Sequence, residues 1–87
     1  MVLYDDFTTA EEAKRFFEWK SGRAFKVLKK TTKTDAKGKT IEYHAELVPE
    51  DDHSEVEVMW VVGVSVHMVR ARSLEDARAF CDKMRGM

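Results

Sequence analysis

Seven successive even-numbered positions, Val56, Val58, Trp60, Val62, Val64, Val66 and Met68, are apolar. Strict alternation is the signature of an extended chain with one face against a core. Few constraints on a fold are stronger, since a one-residue slip would turn every one of these side chains to the other face. The run outlasts the roughly 5–6 residues of a typical strand. Gly63 sits in its middle, and we read it as a bulge or bend within one long strand, because Val62 suits a tight-turn position needing positive φ poorly. A short strand at Val2-Leu3-Tyr4 is expected to pair with the excess length.

The period before and after this segment is helical. Thr9 and Glu12 form a capping box, followed by Ala10, Ala13, Phe16 and Phe17 at helical spacing. Gly22 is expected to end this helix in the left-handed conformation. Ser73 and Asp76 repeat the capping pattern, with Leu74, Ala77, Phe80, Cys81 and Met84 as the apolar stripe and Gly86 just past its end. Between the helices, Ile41, Tyr43, Ala45 and Leu47 alternate with polar residues, and Phe25 and Val27 do so in the segment from Arg23 to Thr32. Asp35-Ala36-Lys37-Gly38 fits a turn that closes these two runs into a hairpin with Gly38 left-handed. Odd-numbered residues then face the core on both strands, and Leu28 points outward.

The expected fold class is α+β, in the order (β)-α-β-β-β-α. It comprises an antiparallel three- to four-stranded sheet with two helices on one face, and residues 1–87 form a single domain. At 87 residues and 44% apolar composition, the chain can bury a core without disulfides. Its one cysteine, Cys81, is compatible with a reducing compartment, no apolar run reaches the roughly 18–20 residues of a membrane span, and the N-terminus has no basic-then-apolar leader. A cytoplasmic location is expected, and Met1 leading directly into patterned sequence reads as a free-standing protein. In element order the chain is similar to double-stranded-RNA-binding domains, which place two helices on one face of a three-stranded sheet.

Charge is segregated. Residues 23–39 carry seven basic residues and one acid, whereas residues 40–57 carry seven acids and no Lys or Arg. Lys29, Lys30, Lys33, Lys37 and Lys39 are the candidate contacts of a nucleic-acid-binding alternative. In the hairpin, Lys26 and Lys30 are expected beside Glu42 and Glu46, which would cancel much of that potential. The entry to the last helix, Ser73-Leu74-Glu75-Asp76, presents two acids where the RNA-binding resemblance implies lysines and a phosphate.

No motif points to an enzyme. Asp51-Asp52-His53 and His44 lack the recurring spacing of a metal site, Cys81 lies on a core stripe, and the four glycines are scattered. No cofactor, metal or small-molecule substrate is indicated. The remaining feature is the outward face of the long strand, where Met59, Val61, His67 and Val69 are the candidate interaction residues. These imply a small non-enzymatic module that binds a protein partner, or a second copy of itself as a homodimer, through the outer sheet face and the long last strand.

Overall fold

The computed structural model describes the backbone of residues 2–85 and the side chains of residues 6–83. The architecture is α+β: β1 (Val2–Asp6), α1 (Ala10–Gly22), β2 (Lys26–Thr34), β3 (Thr40–Val48), β4 (Val56–Val62), β5 (Ser65–Ala71) and α2 (Leu74–Arg85). The strands form one antiparallel sheet in the order β1-β5-β4-β3-β2.

Both helices start as their caps dictate. The Thr9 hydroxyl accepts from the Glu12 N–H at 3.2 Å, and the Ser73 hydroxyl from the Asp76 N–H at 3.1 Å. α1 runs through Gly22 and is capped at Arg23, whose φ is −94°, so Gly22 is not the left-handed terminator expected of it. The first hairpin closes as expected, with the Gly38 N–H donating to the Asp35 carbonyl at 3.0 Å and Gly38 at φ 83°. Met84 as a core side chain and Gly86 as a terminator lie outside what is described.

The expected long strand is two strands. β4 and β5 pair from Val62↔Ser65 to Val56↔Ala71, leaving Gly63-Val64 as a two-residue turn. Gly63 has φ 61° and no other residue in the turn has positive φ. This is the requirement of a type II′ hairpin, with glycine at the first central position. The turn is centred one residue later than Val62-Gly63, so Val62 never needs the conformation that argued against a hairpin. β1 covers the outer edge of β5, pairing Val2↔Val69 through Asp6↔Ser65. The sheet is therefore five-stranded.

The helices lie on opposite faces rather than one. Ala13 and Phe17 of α1 pack on Ala45, Leu47, Met59, Val61, Val66 and Met68. Ala77 and Cys81 of α2 pack on Val58, Trp60 and Val69. Successive residues of β4 alternate between these clusters, as strand geometry requires. The architecture thus departs from the one-faced arrangement of the RNA-binding resemblance.

β2 departs from expectation differently. All nine of its residues are exposed, and Phe25 and Val27 are not core residues. A register shift between Val27 and Lys29 places Leu28 in a bulge, which explains its poor fit to simple alternation.

Candidate functional site

The four expected interaction residues do not share a surface. Met59 and Val61 are buried beneath α1 and Val69 beneath α2. His67 stacks on Trp60 on the α2 side, with ring centroids 4.7 Å apart and planes 4° from parallel. Met59, Val61 and Val69 are core because each face of β4 and β5 has its own helix. The apolar residues read as an exposed patch are the seats of those helices.

The basic segment forms an edge. The bulge at Leu28 resets the parity of β2, so Lys29 and Lys33, not Lys26 and Lys30, lie across from Glu46 and Glu42. Lys30 turns to the α1 side, where its ammonium donates to Glu18 Oε2 at 3.3 Å and lies 5.6 Å from the Phe17 ring centroid. Asp35, the one acid in this segment, is used by the turn, since its Oδ1 accepts from the Lys37 and Lys39 backbone N–H groups at 2.8 and 3.0 Å. Among the described residues, Lys26, Lys29, Lys33, Lys37 and Lys39 form no ion pair.

Glu46 is engaged elsewhere. Although it lies across from Lys29, its carboxylate accepts from Arg78 Nε and Nη2 at 2.8 and 2.7 Å, and His44 Nε2 lies 3.6 Å away. The Arg78 hydrogen bond holds the Glu46 carboxyl below its ordinary range, overcoming the opposing effect of burial. The cancellation of lysine charge expected from Glu46 is therefore largely diverted to α2.

A second arrangement was not foreseen. Where the end of α1 meets the feet of β3, β4 and β5, a cleft of about 510 Å³ opens. Glu57 lines it and is only 1% exposed. Its Oε1 accepts from Arg70 Nε at 3.4 Å, with the Lys20 ammonium 4.0 Å away. Arg70 also grips Asp51 with both terminal nitrogens, at 3.0 and 2.9 Å. That bond lowers the Asp51 pKa and raises that of Arg70. Glu57 Oε2 is buried with no hydrogen-bond partner. At the mouth, the Arg23 guanidinium lies 5.1 Å from the Trp19 ring centroid, and its Nε donates to Glu50 at 3.1 Å.

The signal for this cleft was present in the sequence. Glu57 interrupts an apolar run between Val56 and Val58, and a charged residue in a strand covered on both faces needs a partner or a purpose. Its companions Lys20, Asp51 and Arg70 come from three other segments, and only the fold brings them together. Among the described residues, no helix is long and apolar enough to cross a membrane. Comparison with protein-family models, curated proteins and solved structures finds no match.

Proposed function

We propose that this chain is a non-catalytic interaction domain that takes an extended, acidic segment of a protein partner as a sixth strand along the free edge of β2. The observation that carries this reading is the edge itself: nine residues, all exposed, at the end of the sheet order. Such an edge offers N–H and C=O groups along roughly 30 Å at about 3.3 Å per residue, and strand addition uses those groups for affinity and alternate side chains for specificity.

The lysines define the partner. Two β2 edges paired with each other would juxtapose lysines, and like charges across a ladder are destabilising. The homodimer is therefore the weaker use of this edge, whereas an acidic strand finds cations on both of its faces. Val27 and Leu28, exposed at the start of β2, supply apolar contact at one end. A reducing, cytoplasmic setting suits the single thiol, Cys81, which is buried between α2 and the sheet. Nucleic acid is the second reading, favoured by the same five lysines without ion pairs.

Fluorescence polarisation separates the two. A labelled nine-residue peptide alternating Glu and Val should bind, and Lys29→Glu with Lys33→Glu should weaken it by about tenfold or more. N-methylating alternate amides of the peptide should abolish binding if backbone pairing supplies the affinity. Equal binding of the methylated peptide overturns strand addition. Tighter binding of a single-stranded oligonucleotide, falling steeply with salt, replaces it with the nucleic-acid reading.

A further inference from the structure

We infer that the cleft between α1 and the feet of β3–β5 binds a small zwitterion carrying a primary ammonium and a carboxylate, the chemistry of a free amino acid or a dipeptide. The inference is independent of the role proposed for the β2 edge.

It begins at Glu57 Oε2. The Glu57 side chain is 2% exposed and this oxygen accepts no hydrogen bond, whereas buried polar atoms in folded proteins are satisfied in the great majority of cases. Leaving such an acceptor unmade costs about 1–3 kcal/mol, and more for a charged group. Arg70 bonds Asp51 through both terminal nitrogens and the other Glu57 oxygen through Nε, and no hydrogen bond reaches Oε2. Glu57 lines the cleft, so a donor that a ligand brings to this carboxylate satisfies the empty acceptor. An ammonium group, with three donors and a compact charge, fits a single carboxylate oxygen.

The same cleft holds cations to receive the other end of the ligand. Lys20 is only 4.0 Å from Glu57 Oε1 and remains a quarter exposed. Arg23 is bound to Glu50 in a pair more than half exposed on both sides. Exposed pairs contribute little, so this guanidinium can exchange Glu50 for a ligand carboxylate and hold it in a two-pronged grip. With Lys20, Arg23 and Arg70 against Glu50, Asp51 and Glu57, the lining charges balance. A net anion would meet Glu57 and a net cation would meet Arg70, whereas a zwitterion matches both. Leu47, Pro49 and the Trp19 ring give an apolar wall for a side chain. The volume lies within the range of about 300–1,000 Å³ typical of small-ligand sites.

Trp19 makes the test direct, since it lines the cleft and is 55% exposed while Trp60 is buried. The intact chain is titrated with the twenty L-amino acids and their X-Gly dipeptides, followed by tryptophan fluorescence and by amide shifts in ¹⁵N-labelled protein. At least one probe should give a saturable response centred on Lys20, Asp51 and Glu57. N-acetylation of that probe and Glu57→Gln should each weaken it by about tenfold or more, and Lys20→Met by severalfold. Lys20 is surface-accessible, so its variant keeps the test sound if Glu57→Gln fails to fold. A free amino acid binding more tightly than its dipeptide, or the reverse, assigns the source within the proposed class. No saturable response up to about 10 mM, or an acetylated probe binding as well as its parent, overturns the inference.

Discussion

Two buried glutamates sit close together in the sheet and on opposite faces of it. Glu46 pairs across the ladder with Val58 and faces α2, whereas Glu57 pairs with Leu47 and faces α1. Glu46 is closed, with both oxygens bonded to Arg78 and His44 beside it. Glu57 is open, with one oxygen held at longer distances and the other unmet. A closed buried carboxylate ties a helix to a sheet, and an open one keeps binding capacity in reserve. The layers around them differ in the same sense. α1 anchors with the large Phe17 ring, 5.3 Å from that of Tyr43, and α2 sits down on the small residues Ala77 and Cys81.

The largest expected effect tests the layers. Phe17→Ala should cost about 3–5 kcal/mol in urea unfolding, since it removes a fully buried aromatic with little room for collapse. A loss below about 1 kcal/mol would mean that α1 is not the dominant layer. Next comes Glu46→Gln, which should cost about 1.5–3 kcal/mol through a charge-assisted hydrogen bond to Arg78. The same variant carries a pH signature. Folding lowers the Glu46 pKa from the ordinary 4.5, so the unfolded chain takes up the proton first as pH falls. The stabilisation is complete above that value and is lost as pH drops through the lower folded value. Glu46→Gln should therefore flatten the acid limb of the stability curve below about pH 4.5 and leave its neutral shape unchanged. The smallest effect is expected at Glu57→Gln, under about 1 kcal/mol, because Oε2 has no bond to lose and the amide oxygen still faces Arg70. Equal losses at the two glutamates would erase the distinction between closed and open sites.

Local chemistry was legible in the sequence, and layer assignment was not. Thr9, Ser73 and Gly38 announce their roles through interactions within a few residues, and each adopts the expected one. Val56–Met68 deceives because both faces of β4 and β5 are covered. In β4 the even positions face α2, and after a two-residue turn the even positions of β5 face α1, so an unbroken alternation spans two strands. The odd-numbered Met59, Val61 and Val69 were the contrary signal, since strands apolar at both parities indicate a sheet buried on both sides. Leu28 likewise reported the bulge that re-aims the lysines of β2. The cleft at Glu57 was unreadable as a constellation, because Lys20, Asp51 and Arg70 reach it from a helix, a loop and another strand.

The pairing of β1 with β5 has a consequence in time. Val2 meets Val69, a partner near the other end of the chain, whereas β2 to β5 each pair with their neighbour in sequence. Local hairpins close in microseconds, and long loops close later and against more entropy. During synthesis the meander from β2 to β5 can assemble as it emerges, while β1, made before it, must wait for β5. Until β1 arrives, the outer edge of β5 stands open, and the N-terminal strand is the final staple of the sheet.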